Sequence, residues 1–164
     1  MEYRDVTNHQ RGGLSEALVT SHWYEIYDVF GAWVVDDLRE HEGESVTSTD
    51  DIRIKYKQLE QWETRTAGEN DKHSWVPDCR YEVQVNTRQT DLGDGDRVKM
   101  GPPAYDYLFE IKTGQYGSLK RDQRDVMEAL EAADDRIVPV RVRVDLERLP
   151  DEYGIHFTRI HDRH

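Results

Sequence analysis

Two runs of strict alternation, separated by one helix-length segment, constrain this chain more than any other feature. From Tyr105 to Thr113 the odd positions Tyr105, Tyr107, Phe109 and Ile111 are apolar, while Asp106, Leu108, Glu110 and Lys112 take the other face. From Val138 onward, Val138, Val140, Val142, Val144 and Leu146 repeat the pattern. A period of two marks a half-buried strand, because successive side chains leave opposite faces of the pleat. Between the runs, a short Gly114–Gly117 loop leads to Ser118, a residue type suited to cap a helix. Leu119, Val126, Leu130 and Ala133 then share one helical stripe. The expectation is strand, helix to about residue 133, strand.

Upstream, Tyr81, Val83 and Val85 alternate with Glu82, Gln84 and Asn86, which predicts another strand. A turn rich in glycine and aspartate follows at residues 91–96. Its spacing of Asp91, Asp94 and Asp96 departs from an EF-hand loop and reads as a solvated hairpin turn. Near-helical spacing of Leu14, Ala17, Leu18, Ile26, Phe30, Val34 and Leu38 predicts a helix from Leu14 to about Glu40, with an interruption near Gly31. Residues 1–13 read as a polar lead-in broken by Gly12 and Gly13. Residues 51–65 fit either strand or helix, Thr66 to Ser74 reads as a polar loop, and Ile155 to Ile160 as a short last strand. The order predicts an α/β (α+β) fold with a mixed sheet, in one domain spanning 1–164. Its core runs from about 14 to 146, with 1–13 and 150–164 peripheral.

Composition bears on partners. Charged residues nearly equal hydrophobic ones, 34% against 36%, but four Trp, nine Tyr and three Phe supply packing groups that a disordered chain lacks. The formal charge is −12, and only six of the 22 basic residues are Lys. Acid-rich, lysine-poor surfaces suit concentrated salt, where repulsion is screened, so a halophilic source is one reading and an ordinary acidic protein the other. At low salt such a charge opposes nucleic-acid binding; in strong salt only local charge counts. From Glu25 to Asp51 there are nine acids and one Arg, a stretch that would repel phosphate. The single cysteine, Cys79, excludes an internal disulfide and a cysteine-based zinc or iron–sulfur cage. The start, Met-Glu-Tyr-Arg-Asp, does not read as a signal peptide, and no run approaches the roughly 20 apolar residues of a membrane span. The expected location is cytoplasmic.

If the strands on either side of residues 91–97 form an antiparallel pair, Glu110 falls opposite a position between Asp78 and Tyr81. The polar face of the first strand carries Asp78, Arg80, Glu82, Gln84 and Asn86, and Glu110 and Lys112 lie on the polar face of the second. Register and parity thus bring Asp78, Glu110 and Lys112 to one side of the sheet, with Glu82 a rival for the second carboxylate. Two close carboxylates repel unless a hard cation joins them, and an oxygen-rich site open to water suits Mg²⁺ or Mn²⁺. Such a cation polarises a phosphodiester and acidifies a water, which a nearby Lys can orient.

Pro77-Asp78, then 31 residues, then Glu110-Ile111-Lys112, resembles the signature of the PD-(D/E)XK nuclease superfamily. The run from Tyr107 to Gly114 is similar to its RecB-like and Holliday-junction-resolvase-like branches. The chain lacks the four cysteines of the iron–sulfur members. The resemblance implies a restriction-endonuclease-like αβββαβ core, with Asp78 and Glu110 holding the metal and Lys112 assisting the water. It also implies an acid on the first helix, Glu16 before Glu25, and a Gln on the later helix, Gln123. Gln123 interrupts an apolar stripe, so it either points at the site or bonds a neighbour.

Lys112, Lys120, Arg121 and Arg124 against Asp122 give residues 111–124 a balance of +3, read either as a phosphate-contacting rim or as a solvated helix face. Arg141 and Arg143 either extend that rim or protect an edge strand. His161 and His164 read as a frayed tail rather than metal ligands. The expected activity is Mg²⁺- or Mn²⁺-dependent hydrolysis of DNA in repair, recombination or defence, with RNA left open and pairing of two copies considered. The alternative is an inactive module of the same fold that binds nucleic acid or, through its acidic surface, a protein.

Overall fold

The computed structural model describes residues 8–21, 23–57, 62–65, 72–87, 99–114, 119–134, 136–148 and 152–160. Helices α1 (Asn8–Ser21) and α2 (Trp23–Glu42) are followed by a 3-10 turn at Thr49–Asp51 and strands β1 (Ile52–Tyr56), β2 (Trp62–Arg65), β3 (Lys72–Trp75), β4 (Cys79–Thr87) and β5 (Lys99–Thr113). Helix α3 (Arg121–Ala133) and strands β6 (Ile137–Asp145) and β7 (Gly154–Arg159) complete the order. The main sheet runs β1-β4-β5-β6-β7, and β2 pairs with β3 in a second, two-stranded sheet. β5 and β6 are parallel, and the other pairs in the main sheet are antiparallel. Parallel neighbours need a crossover, which α3 provides. The fold is α+β: a mixed sheet flanked by helices, in which α2, β1, β4, β5, α3 and β6 form an αβββαβ core. The β2–β3 hairpin is inserted between β1 and β4.

The alternating residues of β4, β5 and β6 meet α2 on one face of the sheet. Tyr81, Val83, Tyr107, Phe109, Val140 and Val142 are buried there with Phe30, Val34 and Leu38. Phe30 organises this side, standing edge-on to Phe109 at 4.9 Å between ring centroids and to Tyr107 at 5.5 Å. A buried polar network closes the same layer. Arg159 on β7 grips Asp37 on α2 through two bonds of 2.6 and 2.7 Å and reaches Glu42 at 3.1 Å. Tyr107 donates its hydroxyl to Asp37 at 2.7 Å. Burial and the Asp37 carboxylate push that phenol well above its ordinary range, so it remains a donor. The opposite face of β5 is covered by a smaller cluster of Trp75, Leu108, Val126 and Met127, built from the inserted hairpin and α3.

Several local expectations change. Gly12 and Gly13 lie inside α1, and Gly31 sits buried within α2; residue 22, between the two helices, lies outside the described residues. A Cβ at Gly31 would come within 3.1 Å of the Thr49 side chain, so this glycine permits close approach rather than a break. The ambiguous segment divides into strands β1 and β2, and the polar loop ends in strand β3. α3 starts after Lys120, not Ser118; Ser118 lies outside the described residues, as do the turn at 91–96, His161 and His164. β5 begins at Lys99, and its register with β4 shifts between Gln84 and Asn86, opposite the stretch containing Pro102 and Pro103, which have no N–H for the ladder. β6 is not an edge strand, so Arg141 and Arg143 do not protect one. Among the described residues, no helix is long and apolar enough to cross a membrane.

Removing Arg159 leaves the Asp37 carboxylate buried without its main partner. Arg159→Met is expected to lower stability by about 3 kcal/mol in urea unfolding; a loss near zero would show that the network adds nothing.

Candidate active site

β4 and β5 pair with Cys79 opposite Phe109, so the next position outward, Asp78, stands opposite Glu110. Asp78 clasps the chain on both sides of that residue. Its backbone N–H donates to the Phe109 carbonyl at 2.7 Å, and its carboxylate accepts the Ile111 N–H at 2.7 Å. The β4 ladder has ended there, and the side chain takes the N–H that a longer strand would have paired. Pro77, buried just before it, has a fixed φ and no N–H to satisfy.

Glu110 is 5% exposed, and an ionised carboxylate at that depth is costly unless donors surround it. Three elements supply them. Trp75 at the end of β3 donates its indole N–H to Oε2 at 2.7 Å. Gln123 in the first turn of α3 donates to Oε1 at 2.8 Å, while its own oxygen accepts the Lys120 backbone N–H at 3.1 Å. Lys112, two residues along β5 on the same face, brings its ammonium to 3.2 Å from Oε1. Gln123 therefore does both things its position allowed: it points at Glu110 and caps its own helix.

Asp78 is held above the ordinary carboxylate value, at about 6. Burial is the main cause; the Ile111 N–H opposes it, Glu110 and Glu16 add to it, and Lys112 lowers it. Glu16 projects from α1 as an exposed residue whose charge is felt at Asp78. The neighbouring Ser15 fixes α1 to the end of β5 by a 2.6 Å hydroxyl–hydroxyl bond with Thr113. Cys79, beneath the same carboxylates, has its thiol pushed up to about 12, chiefly by burial, and is inert. Glu82 lies four residues along β4 from Asp78 and engages Gln84 at 3.0 Å and Lys57 at 3.6 Å. Asp78, not Glu82, is the carboxylate beside Glu110. The side chain of Glu25 lies outside the described residues.

The basic residues divide into two groups. Arg121 is exposed and 4.0 Å from Asp125, and Lys120 is exposed at the helix start, where it flanks Gln123. Arg124 is half-buried one turn further on. Arg141 and Arg143 are register partners of Glu110 and Lys112 across the parallel β5–β6 pair, so they share that face of the sheet. Trp75 was not foreseen. Its one sequence signal is a tryptophan three residues before Asp78, whose indole N–H would need a partner if buried.

Among the described residues, no group of three or more His, Cys, Asp or Glu is placed to hold a metal ion. The two carboxylates brought together are Asp78 and Glu110, with Glu16 near enough for its charge to act on Asp78. A site of two carboxylates completed by water fits Mg²⁺-like ions, which dehydrate reluctantly, better than Zn²⁺.

Between about pH 4 and 6 the folded chain keeps on Asp78 a proton that the unfolded chain has released, so stability falls as pH rises through that window. Asp78→Asn is therefore expected to be more stable than the parent at pH 7, by on the order of 1 kcal/mol after allowing for partial exposure, and not at pH 4. Thermal unfolding at the two pH values measures this; equal differences at both would contradict it.

A family model described as the PD-(D/E)XK nuclease superfamily domain matches residues 9–160. No curated protein and no solved structure matches the chain. The matched span runs from α1 through β7 and includes every residue of the carboxylate cluster. The chain belongs to the PD-(D/E)XK nuclease superfamily.

Proposed function

We propose that this protein is a Mg²⁺- or Mn²⁺-dependent deoxyribonuclease whose site is Asp78, Glu110 and Lys112, with Gln123 holding Glu110 and Glu16 completing the metal's surroundings. The single observation that carries the reading is the buried Glu110 carboxylate, oriented by three donors beside a second carboxylate whose proton affinity is raised. Family membership supports nuclease chemistry in general; the cluster supports its location.

Asp78 and Glu110 would hold the cation, and Glu16 would reach it directly or through water. When bound, the cation would polarise the phosphodiester and acidify a water for attack. Lys112 sits where its ammonium can orient that water and offset charge developing on the phosphorus oxygens. It is 3.2 Å from Glu110 Oε1, which keeps the ammonium at the cluster. Gln123 would keep Glu110 from rotating away as charge redistributes. Lys120, Arg121 and Arg124 on α3, with Arg141 and Arg143 on the site face of β6, would contact phosphates on either side. These residues supply local positive charge in a chain of −12. Acid-rich composition suits function in strong salt, where the overall repulsion of DNA is screened.

Parent protein in high-salt buffer with Mn²⁺ or Mg²⁺ is expected to cleave DNA. Asp78→Ala, Glu110→Ala and Lys112→Ala should each lose at least about a hundredfold in rate. A folded parent that binds DNA without cutting it would favour the inactive-module reading, and three variants as active as the parent would refute the site. In binding titrations, Lys120→Gln, Arg121→Gln and Arg124→Gln should each weaken DNA affinity without changing sequence preference and flatten the salt slope by about 1. Unchanged slopes would remove α3 from the interface.

A further inference from the structure

The inserted hairpin reaches the carboxylate cluster through one side chain. Trp75 is 3% exposed, packed with Leu108, Val126 and Met127, and its indole N–H is the partner of Glu110 Oε2 at 2.7 Å. A carboxylate offers about four lone-pair directions, two on each oxygen. Among the described residues, Glu110 Oε1 receives Gln123 at 2.8 Å and Lys112 at 3.2 Å, whereas Oε2 receives Trp75. Within that set Oε2 is the less occupied oxygen. Indole N–H is a donor that cannot accept, so it holds this oxygen while leaving its second lone pair available.

We propose that Trp75 is a positioning residue that, through Oε2, holds the Glu110 carboxylate in the orientation in which it would receive the divalent cation. This rests on the nuclease reading of the site. Two residues separate Trp75 from Asp78, Val76 about half exposed and Pro77 buried. One short segment thus delivers the donor that orients Glu110 and the carboxylate that faces it. The working unit in this chain is Trp75-Val76-Pro77-Asp78 rather than Pro77-Asp78 alone.

Nuclear magnetic resonance can follow this without turnover. The four tryptophans give four indole N–H signals, and the one absent from Trp75→Phe belongs to Trp75. Adding Mg²⁺ to the full chain should shift that signal together with the Ile111 amide. In Trp75→Phe, the Ile111 amide should report Mg²⁺ binding roughly tenfold weaker, the loss of one hydrogen bond to a charged group. DNA cleavage should fall in kcat by about the same factor with KM nearly unchanged. An isostere at position 75 carrying sulfur in place of the indole N–H keeps the packing and should show the same losses. Trp75→His, which restores a donor, should recover part of them. If parent, Trp75→Phe and the isostere bind Mg²⁺ and cut equally, Trp75 is packing only and the assignment is wrong while the nuclease reading stands. If the parent itself neither binds Mg²⁺ nor cuts DNA, both fall together.

Discussion

Strand β5 must bury both of its faces and still carry a charge at Glu110. Its apolar face is covered by α2 through Phe30, and its other face by α3 and the inserted hairpin through Leu108. A carboxylate at 5% exposure survives there only because β3, α3 and β5 each contribute a donor. That requirement ties the fold to the site. Trp75 and Gln123 come from other elements than Lys112 and Glu110, so the sheet, the crossover helix and the hairpin must all be in place before Glu110 is satisfied. The cluster is a consequence of the completed fold rather than a decoration on one hairpin.

Charged groups occupy both sides of the sheet. The α2 side carries the acidic stretch and the Asp37–Arg159–Tyr107 network, which joins α2, β5 and β7. The other side carries Lys112, Arg141 and Arg143 on the strands beside Glu110 and Asp106, while α3 adds Arg121 and Arg124 among Asp122, Asp125, Glu128 and Glu131.

Much of this was legible in the sequence, for definite reasons. Period-two alternation in β4, β5 and β6 revealed both the strands and their buried faces, because each packs one apolar face on α2. Strand pairing then placed a residue near Asp78 opposite Glu110, and the register realises the outer end of the expected range. Trp75 was illegible because β3 has only four residues, too few for alternation to stand out from a polar loop. Gly31 misled because breaker statistics ignore tertiary contact; Thr49, packed against it, is what calls for glycine. Gln123 could be narrowed to two roles from its place in the apolar stripe, and the structure gives it both. Arg141 and Arg143 were ambiguous until β7 proved to lie beyond β6, a fact of sheet order that alternation does not encode.

On the proposed reading, Asp78 and Glu110 together bind the cation on which phosphodiester cleavage depends. Anomalous diffraction from crystals soaked in Mn²⁺ addresses it most directly. One strong peak is expected at coordination distance, about 2.1 Å for ions of this kind, from carboxylate oxygens of both residues. An absent peak, or one held by other residues, would rule out Asp78 and Glu110 as the cation's ligands.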